Sequence, residues 1–498
     1  MREGVLVVIF LLTFFNCFSQ GGYNHQWLIG DQWLQTIAKG RLVFDTLGYQ
    51  YAQEYRKMAF NDTQGNICDA NGNFLMSSNG VWIANATNDT MKNGSGLNPG
   101  VSVNTNPNGL YLSKANFFLP VPGDSTKFAL FHQTGTSNSS VYPSGELFLS
   151  IIDMSLDGGL GGVDSNFKNV IVLVDTLSEG ITACKHANGR DWWILALKDG
   201  APAIRRVLFT NTGILDTSII TLGNYISSHG SIGNPVFSNT GDKLAFNIYD
   251  NPTTQNSSVV LCDFDRCNGT FSNVIVIPVT NGYYLWGLSF SPDGSKLYVN
   301  STQNIFQINV SSHIVDTVAT YDGFYYLFPA LSTTFMEQYL AANGKIYLTT
   351  GNGTQHLHEI NYPDSAGLAC DVRQHAVNLG VWNFWSIPNH PNYNLGPVVG
   401  SVCDTLGLGI EEHQHDFHFG ISPNPVADIP VKIIYLLPEN KSGIFELYDI
   451  TGQLVYKMNL PPWSTLQYVG LPSLSEGVYT AVVRSGYERS AKKLAIIR

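Results

Sequence analysis

Charged residues are scarce in this chain of 498 residues. Only 13% of its positions are Asp, Glu, Lys or Arg, and the formal net charge is −11. Binding to DNA or RNA relies on clustered Lys and Arg, and the sequence contains no basic stripe. We therefore expect no nucleic-acid partner.

Long apolar runs are also missing, except for a short one near the start. Arg2 precedes an apolar run over residues 5–15, which is shorter than the roughly 20 residues of a membrane-spanning helix. The pattern is typical of a cleaved signal peptide, here residues 1–20. Cys17 could instead mark a lipoprotein signal, but Asn16 stands where such signals carry a small residue. We expect no transmembrane segment in the mature chain.

The sequence also lacks local catalytic motifs. It has no nucleophile elbow, zinc-protease helix, phosphate-binding loop or dinucleotide fingerprint. No cofactor and no metal site is expected, and no residue is predicted to be catalytic. The chain could still be a hydrolase if its carboxylates come from separate parts of the fold.

Glycine and aromatic residues are abundant and form a repeat. A turn that carries Gly and then an aliphatic or aromatic strand recurs at glycines 72, 123, 189, 241, 294 and 344. A period near fifty residues, with about four strands in each unit, is typical of β-propeller blades. The single longer interval, between 123 and 189, predicts an insertion near residues 155–163.

The fold class predicted from this repeat is all-β. We expect a six- or seven-bladed β-propeller over residues 21–405, followed by a small C-terminal immunoglobulin-like β-sandwich. A seventh blade could form from both ends of the propeller, with residues 27–44 pairing near residues 375–400. A stack of two β-sandwiches is the alternative architecture, and the regular period disfavours it.

Several segments resemble known propellers. Residues 237–244 and 290–297 resemble the F-S-P-D-G-x-x-L hairpin of WD-like and TolB-like propellers. Residues 182–193, 262–269 and 388–397 resemble a recurring group of secreted Bacteroidota propeller proteins. The second resemblance covers about residues 40–405 and supports the fold without implying an activity.

The last eighty residues carry a second ordered set of motifs. They begin with Pro423, Asn424 and Pro425, continue through a turn with Gly452 and a strand with Gly477 and Tyr479, and end on Lys492, Lys493 and Arg498. The order resembles the type A C-terminal sorting domain of the Bacteroidota type IX secretion system, over residues 419–498. The alternative is an ordinary C-terminal β-sandwich.

The resemblance implies a partner and a destination. The partner is the type IX secretion machinery, which exports proteins to the outer cell surface or the medium. A sortase-like peptidase would then remove the domain or exchange it for a lipopolysaccharide anchor. Lys492, Lys493 and Arg498 would belong to the recognised end, and Gly477 and Tyr479 would shape the final hairpin.

Six cysteines follow the signal peptide. Cys262 and Cys267 bracket four residues and could form a disulfide, which an exported protein allows. Cys68 and Cys184 could equally be buried free thiols, and the remaining pairing is open. Zinc binding is disfavoured because no C-x-x-C pair or nearby His pair occurs.

Three groups of side chains could carry chemistry. His186, Arg190 and Asp191 could act as an acid–base pair with an anion-binding arginine, although residues near blade turns more often fix loop geometry. A linker over residues 406–418 contains His413, His415, Asp416 and His418, which could bind zinc or copper adventitiously. Asp157 and Asp164 lie in a glycine-rich loop that lacks the calcium-binding spacing.

Aromatic residues near predicted loops form a candidate binding face. Aromatic rings stack on sugars and anchor protein partners, but they also pack between blades. The set comprises Tyr283, Tyr284, Trp286, Tyr325, Tyr326, Trp382, Phe384 and Trp385. We expect a surface binding or adhesion module with a glycan or protein ligand, and a polysaccharide or peptide hydrolase is the alternative. A polar pocket lined by Asp and Glu at the axis would favour the hydrolase, and a flat aromatic face would favour binding.

Overall fold

The structure is a computed structural model of the whole chain. It describes residues 22–31, 38–45, 48–135, 144–223, 233–251, 256–280, 282, 284–327, 329–404, 419–427, 430–435, 437, 442–461, 466–485 and 488–497. The chain forms two compact units that divide after Asp404. Within the described residues, no helix is long and apolar enough to cross a membrane.

The first unit is a β-propeller. Its described strands form seven antiparallel blades, of which the first three are joined into one sheet of twelve strands. The strands of the seventh blade come first in the chain: β1 (Gln26–Ile29), β2 (Ala38–Asp45) and β3 (Gly48–Tyr55). Blade 1 comprises β4 (Gly65–Cys68), β5 (Phe74–Ser78), β6 (Trp82–Ala84) and β7 (Thr90–Ser95).

Blades 2 and 3 share a strand. Blade 2 contains β8 (Asn116–Pro120), β9 (Lys127–Gly135), β10 (Ser144–Asp153) and the first half of β12 (Val170–Lys185). The second half of β12 is the inner strand of blade 3, beside β13 (Trp192–Lys198), β14 (Ala203–Thr210) and β15 (Gly213–Thr221). Gly180, at φ +89°, lies where β12 passes from one blade to the next. This conformation strains residues that have a Cβ.

Blades 4 to 6 each have four strands. Blade 4 contains β16 (Gly233–Phe237), β17 (Lys243–Asn251), β18 (Asn256–Asp265) and β19 (Thr270–Val279). Blade 5 contains β20 (Leu288–Phe290), β21 (Lys296–Asn300), β22 (Asn304–Asn309) and β23 (Val315–Thr320). A two-stranded hairpin follows, β24 (Tyr325–Leu327) and β25 (Leu331–Ser332). Blade 6 contains β26 (Phe335–Leu340), β27 (Ile346–Thr350), β28 (Thr354–Ile360) and β29 (Val372–Asn383).

Short helices occur only in connections of the described chain. They are the α-helix α1 (Val101–Thr105) and four 3₁₀ turns: Gly22–Asn24, Asp157–Gly159, Ser165–Phe167 and Gly367–Cys370. The predicted insertion contains one of these turns, Asp157–Gly159, and β11 (Gly162–Val163), and the turn Ser165–Phe167 follows it. Gly162 pairs in parallel with Lys92 of β7, so the insertion joins blade 2 to blade 1.

Apolar packing and amide hydrogen bonds seal the seams between blades. Buried side chains fill each seam, for example Val259, Leu261 and Ile277 of blade 4 against Leu288 and Leu297 of blade 5. Amide side chains also cross the seams: Asn66 Nδ2 donates to Gln26 O at 2.8 Å, and Gln338 Nε2 donates to Tyr298 O at 2.7 Å. Each such bond gives a strand carbonyl at the seam a side-chain donor from the neighbouring blade.

The ring closes where the two ends of the propeller meet. Asp31 N donates to Trp382 O at 3.0 Å, and Gly30 N donates to Asn383 Oδ1 at 3.3 Å. Ile387 belongs to the same buried cluster as Trp27. The two ends of the propeller therefore meet, but they do not build one blade together as expected: in the described residues blade 7 consists of β1 to β3 alone, and β29 belongs to blade 6. The described blades number seven.

The predicted disulfide between Cys262 and Cys267 is wrong. Cys267 is bonded to Cys403, and Cys262 is a buried free thiol. Cys262 lies in β18, where its side chain packs in the seam with Leu195 and Leu244. Cys267 lies in the turn after β18, beside the last residues of the unit, so the two thiols face different surroundings. Cys68, Cys184 and Cys370 are also buried and free.

The second unit is a small β-sandwich. One sheet contains β30 (Phe419–Ser422), β31 (Val431–Tyr435) and β34 (Leu466–Val469). The other contains β33 (Leu454–Leu460), β32 (Gly443–Tyr448), β35 (Gly477–Ser485) and β36 (Glu488–Ile496), in that order. Both sheets contribute to one apolar core that includes Ile433, Phe445 and Leu494.

Candidate functional site

A cavity of about 420 Å³ lies on the propeller face that carries the turns following the inner strands. Its walls come from the inner strands of blades 3 to 6, the turns after them, and residues 390–395. The polar lining residues include Asn24, Thr182, Ser238, Asn239, Ser289, Asn392 and Asn394, and the apolar ones include Phe237, Leu288, Pro292, Tyr339 and Leu395. Amide, hydroxyl, aromatic and aliphatic groups therefore line the same cavity.

The lining of this cavity is electrically neutral. It contains no Asp, Glu, Lys or Arg. Burial lowers the pKa of His390 to about 4 and raises the pKa of the Cys184 thiol to about 12. Burial also raises the pKa of Tyr339. These three groups are therefore uncharged near neutral pH, and the cavity has no fixed charge to attract an ion.

The lining residues between positions 390 and 395 belong to a loop over residues 384–395, which we call the axial segment. Asn389 Nδ2 donates to Lys114 O at 3.1 Å and to Ile181 O at 2.7 Å. The Nε2 atom of His390 lies 2.7 Å from Asn66 O, and the Tyr393 hydroxyl donates to Phe118 O at 2.8 Å. The segment is thus bonded to blades 1, 2 and 3. The cavity depends on this one loop holding its position.

A cluster of charged side chains lies around Lys114 at the axis. The Nζ atom of Lys114 is 3.3 Å from Glu337 Oε2, so an ion pair joins blade 2 to blade 6. Asn234 Nδ2 donates to Glu337 Oε1 at 3.1 Å. Burial and the nearby carboxylates of Glu179 and Glu337 raise the pKa of Asp62 well above its ordinary value.

These axial carboxylates are buried. Asp62, Glu179 and Glu337 are only 8%, 7% and 2% exposed, and none of them lines the cavity. The hydrolase hypothesis depends on carboxylates that converge at the axis, and these three carboxylates do so. They are nevertheless withdrawn from solvent, and a polysaccharide chain could not contact them without rearrangement.

The three segments that resemble secreted Bacteroidota propellers meet at one junction. His186 Nε2 lies 2.9 Å from Cys267 O, and Arg190 forms an ion pair with Asp191 at 2.8 Å. Asn188 Nδ2 donates to Asp191 Oδ2 at 2.7 Å. Arg190 and Asp191 are therefore bonded within the turn of blade 3 and His186 to the turn of blade 4, and no free acid–base pair results.

Arg266 completes the junction. Its guanidinium donates to Lys185 O at 2.8 Å and to Gly396 O at 2.6 Å. Trp193 Nε1 in turn donates to Arg266 O at 2.8 Å. Blade 3, blade 4 and the chain after the axial segment are thereby joined at one point, next to the disulfide.

The predicted aromatic residues form pairs rather than one flat face. Trp286 lies 6.0 Å from Trp385 between ring centroids, and Trp385 stacks on Phe384 at 4.5 Å. Tyr326 meets Trp382 edge to face at 5.4 Å. These rings are half-buried, as is Tyr325, whereas Tyr284 is exposed. Tyr283 lies outside the described residues.

In the C-terminal unit, the first and last predicted motifs are in contact. Asn424 Nδ2 donates to Lys493 O at 2.7 Å, and its Oδ1 accepts from Ala495 N at 2.9 Å. Val426 N donates to Ala495 O at 2.8 Å, and Ile497 N donates to Val426 O at 2.9 Å. The segment around Pro423 and Pro425 therefore covers the free edge of β36.

The intervening motifs are turns. Asp449 Oδ1 accepts from Thr451 N and Gln453 N, both at 2.9 Å, and Gly452 takes the positive φ of +81° that the turn needs. The Tyr479 hydroxyl donates to Ser475 O at 2.8 Å and fixes the loop before Gly477. The side chains of Lys492 and Lys493 are exposed.

Several predicted residues fall outside the described part of the chain. They are the signal peptide with Cys17, the linker histidines His413, His415 and His418 with Asp416, and the final Arg498. Within the described residues, no three His, Cys, Asp or Glu side chains are grouped to hold a metal ion. Asp164 caps a 3₁₀ turn by accepting from Asn166 N at 2.9 Å.

The C-terminal unit can be placed in a family. Residues 420–497 match the family model of the secretion system C-terminal sorting domain. The C-terminal unit is a type IX sorting domain. A protein that carries this sorting domain is exported, and it is found at the outer cell surface or in the medium. The type IX secretion machinery is therefore a partner of this chain.

Solved structures of low sequence identity resemble the chain. A putative 6-phosphogluconolactonase from Bacteroides fragilis has 10% identity and a TM-score of 0.42, over 72% of this chain and 96% of that one. PorZ of Porphyromonas gingivalis, a surface component of the type IX system, has 14% identity and a TM-score of 0.32, over 95% of this chain and 58% of that one. A putative TolB from Agrobacterium tumefaciens has 9% identity and a TM-score of 0.30, over 60% of this chain and 92% of that one.

Scores this low carry no information about activity, and the propeller assignment rests on the blades of this chain. None of the curated proteins matches it in sequence.

The axial group of Asp62, Lys114, Glu179 and Glu337 was not predicted from the sequence. A signal was present, because Asp62 and Lys114 stand just before the inner strands β4 and β8. Charged residues are rare in this chain, and two at equivalent places in the repeat could have suggested a common location. The ion pair between blades 2 and 6 could not be predicted without the ring.

Proposed function

We propose that the propeller is a binding module displayed at the cell surface, and that its cavity binds a neutral ligand rich in hydroxyl groups, such as a glycan. The observation that carries the proposal is the neutral lining of amide, hydroxyl, aromatic and aliphatic groups. Sugars offer donors and acceptors at their hydroxyls and an apolar ring face, which such a lining can match. The volume falls within the usual range of small-ligand sites, about 300–1,000 Å³.

Electrostatics favour binding over hydrolysis at this cavity. Glycoside hydrolysis needs two carboxyl groups beside the scissile bond. The cavity lining has no carboxyl group, and the axial carboxylates are at most 8% exposed. We therefore place the hydrolase second and treat product release as an outcome that would reverse this order.

We further propose that the sorting domain is removed or exchanged for a surface anchor after export. The two compact units divide after Asp404, where a peptidase could separate them without cutting a blade. Mass spectrometry of the exported protein tests this proposal. A mature chain that retains the residues up to 498 would contradict it.

The test of the cavity is a glycan array probed with the purified full-length protein. Ala342 lines the cavity and is half-buried, so Ala342→Trp places a large side chain in it. Ala86→Trp is the matched control, because Ala86 is exposed in the turn after β6 and is not part of the lining. We expect Ala342→Trp to weaken binding by roughly tenfold or more, and Ala86→Trp to bind like the parent.

Three results would contradict the cavity proposal. Binding that survives Ala342→Trp but is lost in Tyr284→Ala would move the site to the exposed aromatic residue. Release of shortened glycan would make the propeller an enzyme. No saturable binding to any glycan would exclude the ligand class.

A further inference from the structure

A lysine, an asparagine and a glutamate from three different blades meet at the axis of the propeller. Lys114 stands just before β8 of blade 2, Asn234 lies in β16 of blade 4, and Glu337 lies in β26 of blade 6. We call these three residues the axial triad. They come together only in the closed ring, because 103 positions separate Asn234 from Glu337 and Lys114 lies further still from both.

One carboxylate contacts the other two groups of the triad. Lys114 Nζ lies 3.3 Å from Glu337 Oε2. Asn234 Nδ2 donates to Glu337 Oε1 at 3.1 Å and to Trp286 O at 3.0 Å. The amine and the carboxamide are therefore held on the two oxygens of one side chain, and the bond to Trp286 O keeps the carboxamide in place.

The triad is closed to solvent, and its polar atoms are incompletely paired. The side chains of Lys114 and Glu337 are 2% and 3% exposed, and Asn234 is 1% exposed. Lys114 Nζ, Glu337 Oε2 and Asn234 Oδ1 have no hydrogen-bond partner among the protein atoms. Buried charges and buried carbonyls are costly in this state. A reaction that removes the charges of the pair would therefore be favourable.

The backbone at the triad is also unusual. Lys114 and Asn234 both have left-handed conformations, with φ of +48° and +56°. Asparagine tolerates this conformation, whereas a lysine is strained by it. Strain of this kind persists only where the surrounding structure fixes it, and it is common at reactive sites.

We propose that Lys114 and Asn234 react with each other after folding and form an amide bond between their side chains, with Glu337 as the proton carrier. Lys114 Nζ first passes one proton to Glu337 Oε2, which removes two buried charges. The lone pair of the neutral amine then attacks Cγ of Asn234. A lysine amine acts as a nucleophile when it is desolvated beside a base, as it is here.

The atoms of this step balance without a further reactant. The bond between Nζ and Cγ forms, and the bond between Cγ and Nδ2 breaks with its electron pair on the nitrogen. Nζ gives up a second proton, and both protons pass through Glu337 to Nδ2, which leaves as ammonium. The products are a secondary amide that joins Lys114 to Asn234, one ammonium ion and the regenerated carboxylate of Glu337.

A set of the same three residue types on the surface provides a comparison within the chain. Lys243 Nζ donates to Asp263 Oδ1 at 2.7 Å, and Asn273 Nδ2 donates to Asp263 Oδ2 at 2.7 Å. The side chains of Lys243 and Asp263 are 31% and 37% exposed, and Asn273 is exposed. Water solvates this pair, so removal of its charges gains little. We expect no bond between Lys243 and Asn273.

The consequence of the reaction is a covalent link between blade 2 and blade 4 at the axis. It closes the part of the chain that contains blades 2 and 3, independently of the disulfide. The inference concerns the covalent structure of the propeller and does not rest on the ligand of the cavity. The glycan experiment can therefore fail without changing the expectation for the triad.

The test is the mass of the purified full-length protein, denatured and reduced, against the mass calculated from the N-terminus that peptide mapping identifies. We expect the parent chain to lack the mass of one ammonia. Trypsin should not cut after Lys114, because its amine is acylated. The digest should contain one branched peptide that joins the segment around Lys114 to the segment around Asn234.

Three variants assign the roles of the residues. Lys114→Arg keeps a positive charge beside Glu337 but has no reactive amine, so its mass should equal the calculated one. Glu337→Gln removes the proton carrier and should reduce the linked fraction by roughly tenfold or more. Asp263→Asn is the matched control, because it makes the same kind of change in the exposed set, and it should be linked at the axis like the parent.

Four results would overturn the proposal. A parent chain with the full calculated mass would show that the triad is an ion pair only, and this measurement needs no variant to fold. The loss of one water, with Lys114 joined to Asp62 or Glu337, would place the bond on a carboxylate. Unchanged linkage in Glu337→Gln would remove that residue from the reaction. A link between Lys243 and Asn273 would show that burial does not select the reacting pair.

Discussion

Removal of the disulfide between Cys267 and Cys403 should destabilise the propeller strongly. The bond joins the turn after β18 to the last residues of the unit and spans 136 positions. The loop-closure entropy of a link of this length corresponds to about 5 kcal/mol at 25 °C. A bond between Cys262 and Cys267 would close only a short loop and would contribute about 2 kcal/mol by the same relation.

The measurement is urea unfolding of Cys403→Ala and Cys262→Ala beside the parent chain. We expect Cys403→Ala to lose about 3–5 kcal/mol of unfolding free energy, since measured values often fall below the entropy estimate. Cys262→Ala should lose only what the removal of a small buried side chain costs, about 1–2 kcal/mol. Peptide mapping without reduction should show the Cys267–Cys403 pair. A Cys262–Cys267 peptide, or equal stability of Cys403→Ala and the parent, would refute the reasoning.

Four further predictions address the axis and the sorting domain. Asn389→Ala should lower the free energy of unfolding in urea by about 2–4 kcal/mol, because the carbonyls of Lys114 and Ile181 each lose a buried donor. Because the pKa of Asp62 is raised in the folded protein, the folded chain keeps this proton at pH values where the unfolded chain has lost it. The free energy of unfolding should therefore fall as the pH rises above the ordinary carboxyl pKa. Asp62→Asn should remove that slope and stabilise the protein near pH 8 more than near pH 4. Asn424→Ala should speed hydrogen exchange at the end of β36, measured by mass spectrometry, because the edge of the strand loses two bonds. Deletion of residues 419–498 should leave the protein in the periplasm, and normal secretion of the truncated chain in fractionated cells would contradict the sorting assignment.

Local sequence patterns were sufficient to predict the class of fold. The recurring Gly turns and the strands after them predicted the blades, and the turn glycines 72, 123, 189, 241, 294 and 344 all have positive φ in the structure. A glycine at such a turn is required by the backbone of the turn itself, so it can be recognised within a few residues of sequence. The sorting domain was recognisable for a similar reason, since its motifs are short segments in a fixed order.

Contacts between distant segments could not be predicted in this way. Cys262 and Cys267 are neighbours in sequence, but the bond forms with Cys403 because the turn after β18 faces the end of the unit. Lys114 and Glu337 meet only because the ring brings blade 2 opposite blade 6.

The sequence by itself therefore determined the all-β class, the approximate blade period and the export signal, since each depends on conformations set within one turn or strand. Only the tertiary structure decided the number of blades, the disulfide, the neutral cavity and the contact between the first and last motifs of the sorting domain. Each of these arises where segments tens to hundreds of residues apart come into contact. Such contacts follow from closing the ring and packing the two sheets, which no local pattern encodes.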